Sequence, residues 1–133
     1  MARVLVVDDE QNIRMAFSEL LRRDGHEVYD AGDVKGAFAL LNQYKFDVAL
    51  LDIHIDERQS GLDLLAAIKD NHSDVEVIMV TGKPMASNVY QALCEGIFVF
   101  LVKPVMANEL REVVRSAANP KAIKTSEKTP SEI

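Results

Sequence analysis

Five short apolar runs, each followed by a stretch of helical periodicity, restrict this chain to very few architectures. Four are dense: "VLVV" at Val4–Val7, "VALL" at Val48–Leu51, "VIMV" at Val77–Val80 and "FVFLV" at Phe98–Val102. A weaker one is "HEVYDA" at His26–Ala31. The dense runs are continuous rather than alternating, as expected of parallel strands covered on both faces. Between them, Ile13, Phe17, Leu20 and Leu21 fall on one helical face. So do Val34, Phe38 and Leu41; Leu62, Leu65 and Ile68; Val89, Ala92 and Leu93; and Leu110, Val113, Val114 and Ala117. Gly25 and Gly96 read as helix stops, Asp33 as the cap of the second helix, and Ala107 or Asn108 as the start of the last, just after Pro104.

Strand and helix therefore alternate five times. That predicts an α/β fold: a doubly wound, five-stranded parallel sheet in the flavodoxin-like order 2-1-3-4-5, with helices on both faces. With 133 residues, 48% of them apolar, the chain suits one domain with a single core. Helical and strand patterns stop near Asn119, so residues 1–118 read as the domain and 119–133, rich in Lys, Ser and Thr, as a flexible tail or linker.

Several function classes are disfavoured. No stretch approaches the length of a membrane span, and the start "MARVLVVDDE" does not read as a signal peptide, so a cytoplasmic protein is expected. The lone cysteine, Cys94, cannot form an internal disulfide or a zinc site and is expected to be a small packing residue of a helix. A net charge of -6 argues against direct nucleic-acid contact. His26 and His72 fall at turns or helix ends and read as solvated.

In such sheets ligands bind beyond the carboxyl ends of the strands, near the point where the strand order reverses. The first strand ends in Asp8 and Asp9, the third in Asp52, the fourth in Thr81, and the fifth in Lys103 followed by Pro104. Three neighbouring carboxylates raise one another's pKa unless compensated, and a hard cation such as Mg²⁺, with Lys103, compensates them. Metal and lysine can neutralise a phosphoryl group, the Thr81 hydroxyl can donate to it, and a carboxylate can attack phosphorus. Taken singly these residues are ordinary: "DDE" also reads as a helix cap with an acidic first turn, and a lone Asp after a strand as a turn residue. Together, four strand ends carry the groups phosphoryl chemistry requires.

The motifs "VLVVDDE", "DVALLDI", "VTG" and "FLVKP" resemble, in order and at close to the same spacing, the receiver domain of bacterial response regulators over roughly residues 3 to 118. The resemblance implies that Asp52 is the phospho-acceptor, Asp9 a direct Mg²⁺ ligand, Asp8 a ligand through water, and the backbone carbonyl of His54 a further ligand. It implies that Thr81 and Lys103 contact the phosphoryl group and relay its arrival, and that Phe100 is the switch aromatic. The implied partners are a sensor histidine kinase or phosphotransfer protein, a downstream effector domain or target protein, and a second phosphorylated copy. Beyond its own phosphorylation and slow dephosphorylation, such a domain is no enzyme. His54 and Lys83, two residues past Asp52 and Thr81, sit where receivers tune water attack. Departures from the pattern are "HIDERQSG", which lacks a proline and carries one extra residue before Gly61, and a Phe at 100 in place of Tyr.

Other readings stay open at this stage. A haloacid-dehalogenase-like Mg²⁺-dependent phosphatase would want an acid where His54 stands, and a nucleotide or flavin domain would want a glycine-rich first loop instead of "DDEQN". A receiver-like scaffold that never reacts would be told apart by a phosphodonor assay. Met85 and Tyr90 near the fourth helix are candidates for an output surface.

Overall fold

A computed structural model describes residues 2–55 and 60–119. The expected tail, apart from Asn119, and residues 56–59 of the stretch "HIDERQSG" lie outside the described residues. Strands β1 (Arg3–Val7), β2 (Glu27–Ala31), β3 (Val48–Asp52), β4 (Glu76–Thr81) and β5 (Val99–Val102) alternate with helices α1 (Gln11–Arg23), α2 (Val34–Gln43), α3 (Gly61–Asn71), α4 (Ala86–Glu95) and α5 (Ala107–Ala118). All strand pairs are parallel, in the order β2-β1-β3-β4-β5, as the alternation predicts.

The continuous apolar strands divide their side chains between two cores, because successive residues face opposite sides of a sheet. Leu5, Val7, Ala49, Leu51, Val77 and Met79 join α2, α3 and α4 residues in one cluster. Val4, Val6, Val48, Leu50, Ile78 and Val80 join Leu21 of α1 and Leu110, Val114 and Ala117 of α5 in the other. A polar residue on either side of β1, β3 or β4 would therefore be buried without a ladder partner for its side chain. That explains why these strands carry none between their first and last residues.

Helix ends follow local chemistry. Asp33 caps α2 by accepting from the Gly36 amide at 2.6 Å. Ser60 and Asp63 form a reciprocal capping box at the start of α3. Gly25 (φ 94°) and Gly96 (φ 86°) adopt the left-handed conformation that lets the chain leave α1 and α4. The helices are anchored unequally: α3 buries Gly61, Leu62, Leu64, Leu65 and Ile68, whereas α4 buries Ala92 alone.

Three sequence expectations fail. Leu93 and Cys94, expected to pack, are exposed on α4, because that helix meets the core along only a narrow stripe. His26 is 8% exposed rather than solvated. It closes the gap between the chain start and the end of α1, with Nδ1 accepting from the Ala2 amide at 3.1 Å and Nε2 lying 3.7 Å from Asp24.

Candidate functional site

Sheet register builds the site. Val7 pairs with Leu51 and Asp52 with Val80, so Asp8 and Asp52 leave β1 and β3 at the same level and Thr81 stands one residue further along β4. Thr81 pairs with Val102, which brings Lys103 out of β5 beside Gly82. These are the polar residues that end apolar strands: Asp52 and Lys103 open onto a cleft of about 320 Å³ lined also by Asp9, Glu10, His54, Gly82 and Lys83, while Asp8 and Thr81 are buried. A larger hollow of about 580 Å³ at the opposite end of the sheet, between the α2–β3 and α3–β4 loops, holds no comparable meeting of carboxylates and an ammonium.

Asp8 and Asp52 are 2% and 6% exposed. Lys103 Nζ donates to Asp8 Oδ2 at 2.8 Å and to Asp52 Oδ2 at 3.0 Å. The lysine thus compensates two of the carboxylates, as expected of it, across separations of 95 and 51 residues. Burial pushes the Asp52 carboxyl above its ordinary pKa, more than the Lys103 hydrogen bond and charge pull it down. Burial acts to lower the Lys103 ammonium, but Asp8 and Asp52 together outweigh it and raise its pKa. The lysine stays charged.

The remaining oxygens are also engaged. Asp52 Oδ1 accepts from the His54 amide at 3.2 Å, and Asp8 Oδ1 from the Glu10 amide at 2.9 Å. Of the acids in "DDE", Glu10 stands at the N-cap of α1, but its side chain makes no capping bond. Thr81 is fully buried, and its Oγ1 accepts from the Lys83 amide at 3.1 Å. His54 and Lys83 are both exposed on the cleft rim. Phe100, half-buried, packs against the cluster formed with α2, α3 and α4.

Among the described residues, the carboxylates that bring ligand atoms within 4.8 Å of one another are Asp8, Asp9 and Glu10. Asp52, expected in that group, is instead held by Lys103 and the His54 amide. These hard, anionic oxygens suit a cation such as Mg²⁺.

Two contributions were not read from the sequence: the close approach of Gly61 and the reach of Arg14. Gly61 donates to the Ile53 carbonyl at 2.7 Å and lies so close behind the acceptor that a Cβ there would overlap the Asp52 carbonyl oxygen. Arg14 donates through Nη1 to the Asp8 carbonyl at 2.9 Å. Its available signal was position: Arg14, Ser18 and Leu21 share one helical stripe, and an arginine there needs an internal partner.

Residues 4–115 match the model of the response regulator receiver domain. The chain belongs to that family. It is 38% identical over 123 residues to the response regulator protein PilR of Pseudomonas aeruginosa, covering 90% of this chain and 27% of that one. To the alginate biosynthesis transcriptional regulatory protein AlgB of the same species it is 34% identical, covering 82% and 24%. The receiver thus spans about a quarter of the length of these two relatives. The crystal structure of a CheY-like receiver domain protein from Methanospirillum hungatei superposes with a TM-score of 0.87 at 27% identity, covering 93% of this chain and 98% of that one. Receiver domains of response regulators are signalling domains of two-component systems. Among the described residues no helix is long and apolar enough to cross a membrane.

Proposed function

We propose that this receiver is a phosphorylation-driven switch in which Asp52 takes a phosphoryl group from a phosphohistidine of a sensor kinase or phosphotransfer protein. The observation that carries the reading is the double hydrogen bond of Lys103 to Asp8 and Asp52, which holds a nearly buried carboxylate beside a fixed positive charge in an open cleft. A carboxylate oxygen of Asp52 forms the new O–P bond while the P–N bond of the donor breaks. Lys103 keeps its proton and stands ready to bind a phosphoryl oxygen, and the Thr81 hydroxyl can turn from the Lys83 amide to donate to another. Asp8, Asp9, Asp52 and the His54 carbonyl would hold Mg²⁺, with Glu10 adjoining, and the ion would offset phosphoryl charge.

Thr81 and Lys103 gain new partners only in the phosphorylated form, so phosphorylation shifts a pre-existing equilibrium towards conformations that satisfy them. Thr81 ends β4 and Lys103 ends β5, so the response runs into α4, β5 and the half-buried Phe100. Tyr90 (71% exposed), Met85 and Leu93 of that region, with Val102 and Met106, are exposed apolar side chains available to an effector domain, a target protein or a second copy. By likeness to the transcriptional regulator AlgB, the output is control of transcription, carried by another domain or protein. Residues 1–118 act as the switch, and 119–133 serve as its tail or linker, in a cytoplasmic protein.

Incubation with acetyl phosphate and MgCl₂, followed by intact mass measurement, should add one phosphoryl mass to the parent and none to Asp52→Asn. A labelled Asp52→Asn protein, or an unlabelled parent, overturns the assignment.

A further inference from the structure

Resting on the cation site proposed above, we propose that Arg14 is a positioning residue that sets the affinity of the acidic loop for its divalent cation by clamping the backbone of Asp8. The guanidinium bridges two segments: Nε donates to Asp30 Oδ2 at 2.8 Å at the end of β2, and Nη1 to the Asp8 carbonyl at 2.9 Å. The Arg14 amide meanwhile donates to the Glu10 carbonyl at 2.9 Å. One residue therefore holds the loop on both sides of Asp9. Asp8 is gripped from its other side as well, because its own amide donates to the Ala31 carbonyl at 3.2 Å. With the side chain bound by Glu10 and Lys103, each polar group of Asp8 has a partner, and the course of the chain into Asp9 is fixed.

A second observation shows that the neighbourhood is shaped around this guanidinium. A Cβ on Gly32 would stand 2.8 Å from Arg14 Nη1 and 3.4 Å from Cζ. Gly32 does not have a positive φ, so its backbone suits alanine. Absence of a side chain there leaves the arginine room to reach Asp8.

Electrostatics alone would argue for the opposite effect on the cation. A positive charge beside a Mg²⁺ site repels the ion, and removing it should tighten binding. The clamp acts through geometry, as do residues that orient metal ligands elsewhere, whose loss weakens metal binding by about 10–100-fold. Charge and clamp therefore predict opposite signs.

The test is titration of the full chain with MgCl₂, followed by calorimetry and by the amide resonances of Asp9 and Glu10, with no phosphodonor present. Gly32→Ala changes no charge, and its methyl meets only the far end of a flexible side chain, so the fold is retained while the guanidinium is displaced. Mg²⁺ affinity should fall roughly tenfold in Gly32→Ala and also fall in Arg14→Met. In the double variant, Gly32→Ala should add nothing to Arg14→Met, since both act through one contact. Unchanged affinity in Gly32→Ala, tighter binding in Arg14→Met, or additive losses would overturn the inference. Failure of the parent chain to bind Mg²⁺ would instead overturn the cation site itself. Should Arg14→Met not fold, a denaturation curve shows it and Gly32→Ala alone decides.

Discussion

Gly61→Ala is the most informative single substitution behind the acceptor, because it adds one methyl and touches no ionisable group. The new Cβ would overlap the Asp52 carbonyl oxygen, stand 2.8 Å from its carbon and lie 3.0 Å from the Ile53 Cα. Non-bonded carbons rest at about 3.5 Å, so relieving the carbon contact alone takes roughly 0.7 Å, and the overlapped oxygen demands a larger retreat of the Asp52 backbone. All of these atoms are main chain, and Asp52 is locked by its ladder pairing with β4, so no side chain can absorb the move. Overpacking of this kind costs about 1–3 kcal/mol. A displacement of about 1 Å at a reacting group can cost 10²-fold in rate, so labelling of Asp52 by acetyl phosphate should slow by about tenfold or more. Urea denaturation gives the stability, and intact mass against time gives the rate. A Gly61→Ala variant with the stability and labelling rate of the parent would refute the role assigned to this close approach.

Lys103→Met removes the cation that joins Asp8 and Asp52; in metal-free buffer it should lower stability by about 1–3 kcal/mol, read from urea midpoints. Because the ammonium competes with a metal ion for the same carboxylates, Mg²⁺ should bind the variant more tightly, which calorimetry checks. His54→Ala and Lys83→Ala, both on the rim, should label normally yet change the hydrolysis rate of phospho-Asp52 several-fold, tenfold corresponding to about 1.4 kcal/mol in the barrier. Decay curves from pH 6 to 8 that match the parent's would remove both from that role. For His26, burial holds the pKa below its ordinary value, and protonating Nδ1 would break the bond from Ala2. The unfolded chain therefore takes up this proton first, so stability is complete above about pH 6.5 and declines as the pH falls towards the lower folded value. His26→Asn, whose amide oxygen can accept from Ala2, should flatten the urea midpoint between pH 7 and 5.

The strands and the site's main residues were legible in the sequence for one reason. A strand covered on both faces tolerates only apolar side chains, so Asp8, Asp52, Thr81 and Lys103 stand out where each run stops. The half-covered elements were less readable. Leu93 fits a helical stripe with Val89 and Ala92 in α4, and Cys94 is a small residue that helices often bury, but neither signal tells how wide a stripe the core covers. His26 was read as solvated because it borders a turn, and its partner Ala2 lies 24 residues away, brought near by the pairing of β1 with β2. Arg14 carried only the signal of its place on the stripe with Ser18 and Leu21, and Gly32 none, since their contact exists only once α1 is laid against the end of β2.

Unequal anchoring of the helices sets an energy scale for signalling. Burial of the Ala92 methyl is worth about 0.8 kcal/mol, close to thermal energy at room temperature, and half-buried Val89 adds a share. Charge-assisted hydrogen bonds of the kind Thr81 or Lys103 could gain are worth about 1.5–3 kcal/mol each. One such bond matches what holds α4 in place and falls well short of the five buried residues that hold α3. If the proposed switch operates, α4 is the element that so small an input of work can displace while α3 holds its place.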